Sequence, residues 1–311
     1  MARMRQAATI GGLTYGTRGR QRIGSDHLHE ATAVISRLAS AFVRGILVMV
    51  LIATPALILP GMTQDTTQVV ALVALFAAVL TFVEYASTYP CLIEFRDAAP
   101  FNRLRYLSLF VTVFVLSIIV RGQTNPTTLS TFIEVVGNKL GEAIDVPYSP
   151  VRLVVLMLPD NMTLDHLMLV RTAAGMSYLI SLVTLVVFVI VMRTLGWPRR
   201  MGSFNVWVNL PTFDPTTGGD VVSRLQKDAR FNIALGFLLP FMIPAGVKMA
   251  AISFEPVTLE SPQTLIWTMA AWAFLPASLF MRGVAMNRIA QMIADKRRQN
   301  NPGTGSEFVP A

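Results

Sequence analysis

Six apolar stretches of about 20 residues each constrain this chain more than any other feature. They cover approximately residues 41–62, 69–89, 104–121, 171–195, 231–251 and 264–285. A helix needs about 20 apolar residues to cross the hydrocarbon core of a bilayer. Only 14% of the residues are charged, whereas a soluble domain has about 25%. The sequence therefore predicts an all-α integral membrane protein built as a six-transmembrane-helix bundle.

The lysines and arginines are distributed unevenly between the predicted spans. If the N-terminus lies in the cytoplasm, 21 of the 26 basic residues fall on that side. An even number of spans then returns the C-terminus to the same side. We expect a bacterial inner (cytoplasmic) membrane protein with both termini cytoplasmic. Residues 1–25 hold five arginines and no acid, which leaves the mitochondrial inner membrane as the alternative.

The same charge pattern bears on partners. A net charge of +8 that gathers on one side of a membrane is explained by topology and by anionic phospholipids. It gives no reason to expect a nucleic acid as a partner. Aromatic residues near the ends of the predicted spans are expected at the membrane surface. They are Tyr85, Tyr89, Trp197, Trp207 and Trp267.

The spans divide the chain into five segments. Residues 1–40 form a basic cytoplasmic N-terminal arm and a lead-in helix, and residues 41–121 hold transmembrane helices 1–3. A periplasmic connection follows at 122–170. Residues 171–286 hold transmembrane helices 4–6 with a cytoplasmic loop at 196–230, and residues 287–311 form a cytoplasmic C-terminal tail.

The outer connection contains an amphipathic segment. Its apolar residues recur at helical spacing. They are Leu129, Phe132, Ile133, Val136, Leu140 and Ile144. We expect an outer helix that lies along the surface as a lid over the bundle, with a partner-binding or gating helix as the alternative. The segment "PVRLVVLMLP" that follows is too short to cross a membrane, so a re-entrant or surface-lying piece is expected.

The cytoplasmic loop 196–230 combines several local patterns. "FNVWVN" alternates like a short strand, and Asp220 is placed to cap the helix that enters the fifth span. The preceding Gly-Gly pair is a weak phosphate signal, because the cap is an acid and no Lys-Ser/Thr follows. Arg224, Lys227 and Arg230 recur every three residues, which favours contact with lipid headgroups.

Glu84 is the acid that lies inside a predicted span. An ionised carboxylate in lipid is costly unless it is paired, so such a residue is a functional candidate. Arg44 and Arg282 lie at similar predicted depth in the first and sixth spans. We predict an intramembrane ion pair between Glu84 and one of these arginines that ties helices together. Handling of protons or ions at Glu84 is the alternative.

Prolines interrupt the fifth and sixth spans. Pro240, Pro244 and Gly246 fall within two turns of the fifth span, and Pro276 lies in the sixth. Broken helices line substrate sites in transporters, but kinks also occur in helices that only pack. The repeat expected of an inverted transporter is absent, so a substrate site here is the less favoured interpretation.

No residue pattern identifies a reaction. Hydrolase, nucleotide-binding and dinucleotide-binding motifs are absent. The spacing of His27 and His29 is poor for a shared metal on a helix. We therefore predict no enzyme activity, no cofactor and no metal site. The favoured function is a non-catalytic accessory or structural subunit of a larger membrane assembly, in contact with other subunits and anionic phospholipid. The alternative is a small transporter or channel with a site near Glu84 and the kinked helices.

Overall fold

Helices make up most of the described chain. The computed structural model describes residues 17–89, 91–96, 100–197, 209–214, 218–254 and 256–300, and side chains for all of these except 17–31 and 33. Within those ranges there are eight α-helices and no strand, so the predicted all-α class is confirmed there. The helices are α1 (Thr17–Ile58), α2 (Gln64–Ala86), α3 (Phe101–Gly122), α4 (Thr128–Ile144), α5 (Pro150–Met157), α6 (Leu164–Thr194), α7 (Val221–Ala250) and α8 (Pro262–Asn300).

Six of these helices are long and apolar enough to cross a membrane. They are α1 from Val34 onward, α2, α3, α6, α7 and α8. α1 runs without a break from the N-terminal arm, as the predicted lead-in helix requires. Residues 204–208 of the strand-like "FNVWVN", which include Trp207, lie outside the described residues, as do residues 1–16 and 301–311 of the two predicted tails.

Polar side chains set where most helices begin. Thr63, Thr127, Ser149 and Thr163 each accept a hydrogen bond from a backbone N–H of the first helical turn. Asp220 does the same for α7, with the Ser223 amide 3.0 Å from its carboxylate, so the predicted cap is confirmed. Capping satisfies N–H groups that have no partner inside the helix. Helices therefore start several residues before the apolar stretches themselves.

Two buried clusters occupy opposite ends of the bundle. One joins parts of α3, α5, α6 and α8, with Leu116 and Ile266 at its centre. The other joins the segment 91–96, the start of α3, the end of α6, residues 209–214, the start of α7 and the later part of α8. We call this second region the loop end of the bundle. The largest fully buried side chains of the loop end are Trp197, Phe95, Phe101 and Phe188.

The outer helix α4 packs through its small residues and through part of its apolar stripe, since Ile133 and Ile144 pack against the first buried cluster. Gly141 lies against Gly175 of α6, where an added β-carbon would come within 2.7 Å of a backbone atom. Leu129 and Phe132 of the predicted stripe are exposed. Small residues let membrane helices approach closely, which explains why the glycine face is the one buried.

A helical hairpin extends from the rest of the bundle. α1 and α2 pack tightly where Gly45 meets the backbone of Ala78. α1 also contacts α3, and the Tyr106 hydroxyl donates to the carbonyl of Leu47 at 2.9 Å. Among the described helices, α1 is the only one with which α2 makes extensive contact. The short α5, by contrast, is inserted against α6 and α7 with Val151 fully buried.

Candidate functional site

Glu84 organises a loop. Its carboxylate, at the end of α2, accepts hydrogen bonds from the backbone N–H groups of Cys91 and Leu92, both at 3.0 Å, and of Ile93 at 3.3 Å. The residue is only 8% exposed. Arg96 donates to the carbonyl oxygens of Glu84 and Ser87 and so closes the end of α2. The chain that follows α2 is therefore folded around this one buried carboxylate.

The two arginines predicted as partners of Glu84 lie elsewhere, and neither forms an ion pair with it. Arg44 donates to Ser40 at 2.6 Å and stacks 4.3 Å from the ring centre of Tyr85. Arg282 binds Glu94. Backbone N–H groups stabilise a carboxylate without a counter-ion, which removes the need for a pair at Glu84.

The segment 91–96, which Glu84 holds, meets the segment 209–214 at the loop end of the bundle. Phe95 makes this contact. Phe95 has a φ of 53°, an unusual backbone conformation for a residue with a side chain. Its N–H donates to the carbonyl of Asn209 at 2.7 Å. Its ring packs 4.3 Å from Phe101 and 6.0 Å from Trp197, measured between ring centres. This contact fixes the position of the neighbouring Glu94.

Glu94 and Arg282 form a two-point ion pair. Arg282 donates from Nε to Oε2 of Glu94 at 2.6 Å and from Nη2 to Oε1 of Glu94 at 2.8 Å. Thr212 donates to the same carboxylate at 2.6 Å. The side chains of Glu94 and Arg282 are 13% and 25% exposed. Such bidentate, charge-assisted pairs are the strongest hydrogen-bonded pairs in proteins.

Electrostatics keep Glu94 ionised. Burial of its carboxyl favours the neutral form, but the hydrogen bonds from Arg282 and Thr212 and the charges of Arg282 and Arg105 outweigh burial. Together they hold the pKa of Glu94 below its ordinary value. A carboxylate of this kind stays charged near neutral pH. It serves as a fixed counter-ion and is a poor proton carrier.

Arg105 of α3 completes the cluster. Its guanidinium carbon lies 5.3 Å from the ring centre of Phe101 and 5.9 Å from that of Phe274. Its Nε atom is buried and has no hydrogen-bond partner among the described residues. Glu94 acts electrostatically on both Arg105 and Arg282. Two guanidinium groups therefore share a carboxylate that Arg282 already binds at two points.

These groups face a cavity of about 340 Å³ between α3, α7 and α8. Glu94, Arg105 and Arg282 line it together with one hydroxyl, that of Ser278. The remaining wall is aliphatic and consists of Leu239, Ile243, Leu275 and Leu279. Such a cavity combines a cationic edge with an apolar wall. It is suited to binding an anionic amphiphile.

The predicted kink residues do not line this cavity, although three of its aliphatic residues are their neighbours in sequence. Pro244 has no N–H, which leaves the carbonyl of Pro240 without a helical donor, and Trp272 of α8 donates to that carbonyl at 3.1 Å. Pro276 is buried in α8. Gly246 is exposed, and a β-carbon there would meet no atom within 4 Å. Pro240 and Pro244 therefore help to join α7 to α8. Gly246, in the same helix, faces open space at its β-carbon position.

The predicted headgroup residues occupy the first turns of α7. Arg224 donates to the carbonyl of Asp214 at 2.9 Å and stacks 4.9 Å from the ring centre of Phe213. Lys227 and Arg230 are exposed. Arg224 is thus bound to the preceding loop, whereas Lys227 and Arg230 form an exposed basic surface on which Arg230 donates to the carbonyl of Gln226 at 3.3 Å.

A second cavity, of about 370 Å³, lies at the opposite end of the bundle. It is formed by residues 159–166 and 256–260. The Nε2 atom of His166 lies 2.8 Å from the carbonyl of Thr258, which joins the two segments. Within the described residues, no group of three His, Cys, Asp or Glu side chains is placed to hold a metal ion.

The sequence interpretation missed Glu94 and Arg105 as site residues. The available signal was local: Glu94 stands between Ile93 and Phe95, where an acid amid apolar residues is unusual unless it is paired. Comparison with models of protein families, with curated proteins and with solved structures found no match.

Proposed function

We propose that the protein is a multi-pass membrane protein that serves as a non-catalytic subunit of a larger membrane assembly and binds its partner through α2. The observation that carries the proposal is the packing of α2, which makes extensive contact with α1 alone among the described helices. We propose a bacterial inner membrane with both termini in the cytoplasm, and the mitochondrial inner membrane as the alternative; the uneven distribution of lysines and arginines between the predicted spans supports this orientation.

The two faces of α2 differ in a way that suits docking. Small residues, Ala74 and Ala78, are buried against α1. The opposite face presents Leu72 and Phe76, each 69% exposed, with Val83 in line below them. Lipid supplies no hydrophobic force between helices, so membrane helices associate by shape and packing. A ridge of mixed large and small apolar side chains is a suitable packing surface for a further helix.

The interior of the bundle also favours a structural role over a conduit. The buried hydroxyls of Thr54, Thr112, Ser117 and Ser177 each donate to the carbonyl four residues earlier in the same helix, at 2.7–2.8 Å. A polar path needs groups that are free to bind water or substrate. These hydroxyls are already satisfied, as expected of packed helices.

Site-specific photo-cross-linking tests this proposal. A photoreactive residue is placed at Phe76 and, as the matched control, at Phe237, which is similarly exposed on α7. Illumination in native membranes should join the Phe76 variant to one membrane protein at high yield and leave the Phe237 variant joined to lipid alone. Cross-links at both positions to the same mixture of proteins would refute docking through α2. A product joined only to a second copy of this chain would replace the assembly with a homo-oligomer.

A small transporter is the second candidate, and the cavity beside the proline-containing helices favours it. Leu239 and Ile243 adjoin Pro240 and Pro244, and Leu275 adjoins Pro276. Glu84 does not belong to this candidate site, because its carboxylate is enclosed by the loop. The test is uptake of a radiolabelled organic anion by liposomes containing the protein. Uptake that Arg282→Gln abolishes supports transport, and uptake equal to that of empty liposomes refutes it.

A further inference from the structure

The cavity between α3, α7 and α8 is lined by two cationic groups and by one carboxylate, both oxygens of which already accept hydrogen bonds. Oε1 and Oε2 of Glu94 accept three hydrogen bonds from Arg282 and Thr212. Asp228, the other acid that acts on Arg282, is exposed and does not line the cavity. Arg105 is left with a buried, unpartnered Nε among the described residues. Two guanidinium charges thus share one carboxylate, and an anion in the cavity would balance the second charge.

The walls of the cavity specify more than an anion. Its aliphatic side chains lie beside Arg105 and extend along α7 and α8. A small inorganic anion gains nothing from such a wall, whereas an acyl chain does. Arg105 lies four residues from the start of α3, or about 6 Å along the helix at 1.5 Å per residue. That is close to the depth at which a phospholipid headgroup meets its chains.

We propose that Arg105 and Arg282 bind the phosphate group of an anionic phospholipid, with its acyl chain against Leu239, Ile243, Leu275 and Leu279. The guanidinium fork matches a phosphate in geometry and charge. Arg282 stays on Glu94 and contributes its charge, and Arg105, which lines the cavity, contributes the second positive charge. This site is distinct from the basic face of α7, whose Lys227 and Arg230 attract anionic lipid only as exposed charges.

Lipid titration followed by native mass spectrometry tests the site. The full-length protein in neutral detergent is titrated with phosphatidylglycerol and, separately, with phosphatidylcholine. One phosphatidylglycerol should bind with clear preference, and Arg105→Gln should weaken it about tenfold or more, because charge-assisted hydrogen bonds contribute about 1.5–3 kcal/mol. The matched control is Arg103→Gln, which removes an exposed arginine from the same helix and should leave that binding unchanged.

A second variant, which is expected to strengthen lipid binding, distinguishes lipid binding from a merely structural role of Arg105. Glu94→Gln removes the competing carboxylate and leaves both guanidinium groups available, so phosphatidylglycerol should bind more tightly than to the wild type. Added phosphatidylglycerol should also raise the unfolding temperature of this variant more than that of the wild type. Loss of folding alone would not produce tighter binding.

Three outcomes would overturn the proposal. Equal binding of the neutral and anionic lipids would show that no headgroup site exists. Equal losses in Arg105→Gln and Arg103→Gln would indicate diffuse surface attraction. Displacement of the lipid by inorganic phosphate at equal concentration would assign the cavity to a soluble anion. The site is separate from α2, so this proposal and the docking proposal can fail independently.

Discussion

Replacing Glu94 by Gln should destabilise the protein more than any other single neutralisation of an acid. The carboxylate accepts two hydrogen bonds from Arg282, at 2.6 and 2.8 Å, and one from Thr212. Gln keeps the shape of the side chain but removes the charge. It leaves the neighbouring guanidinium groups without their shared counter-ion. The substitution thus isolates the electrostatic part of the interaction.

The size of the effect follows from burial. Breaking a fully buried pair costs about 3–5 kcal/mol, and a hydrogen bond to a charged group contributes about 1.5–3 kcal/mol. Both side chains of this pair are less than one-third exposed, but neither is fully buried. We therefore expect Glu94→Gln to lower the free energy of unfolding by about 2 kcal/mol.

Asp220 supplies the matched control. It pairs with Arg297 at 2.5 Å, but the two side chains are 49% and 55% exposed. Exposed ion pairs contribute little to stability, so Asp220→Asn should leave the free energy of unfolding nearly unchanged. The assay is equilibrium unfolding in mixed micelles, followed by circular dichroism. A Glu94→Gln loss no larger than that of Asp220→Asn would refute the assignment of Glu94–Arg282 as the main tether of the loop end.

The pH dependence of the same pair has a defined sign. The pKa of Glu94 is lowered in the folded protein, so its stabilising contribution is complete above the unfolded-state value of about 4.3. The contribution is lost as the pH falls through the lower folded-state pKa. The difference in unfolding free energy between wild type and Glu94→Gln should be largest above about pH 5 and should shrink below about pH 4. A difference that grows on acidification would contradict the low pKa.

Two further predictions concern packing and the loop. Gly236→Leu should lower the unfolding temperature strongly, because a β-carbon there comes within 2.7 Å of the backbone nitrogen of Phe280 in α8. The matched change Gly246→Leu lies in open space and should leave the unfolding temperature nearly unchanged. Equal effects of the two substitutions would contradict the α7–α8 contact. Glu84→Gln weakens the acceptor for the backbone N–H of Cys91, the single cysteine of the chain. A nitroxide attached to Cys91 should then become more mobile by electron paramagnetic resonance, and an unchanged spectrum would show that the carboxylate does not organise the loop.

The helices could be predicted from sequence and the tertiary partners could not. Helix position depends on local apolar length, and caps such as Asp220 are visible as residue types. Glu84 was assigned an arginine partner because backbone N–H groups have no signature in a sequence. The pairing of Glu94 with Arg282 joins positions far apart in the chain. It depends on the path of a loop that only the folded structure defines.

Packing faces were also misjudged where small residues decide them. α4 was expected to lie along the surface as a lid over the bundle, and the sequence did not indicate that Gly141 makes the close contact with α6 while Phe132 is exposed. The spacing of apolar residues indicates a helix face only coarsely, whereas small residues decide where two helices can approach closely. Trp197, by contrast, is a large residue that was expected near the membrane surface. It is only 1% exposed, because it is packed among the segments 91–96 and 209–214 of the loop end.

The central claim is that α2 joins this chain to a larger membrane assembly. Its most direct test is the mass and subunit stoichiometry of the tagged protein after mild-detergent extraction from native membranes. The account predicts a defined complex that Leu72→Ala with Phe76→Ala dissociates and that Phe237→Ala leaves intact. A lone monomer from the wild type, or a complex that survives the α2 substitutions unchanged, would contradict the account.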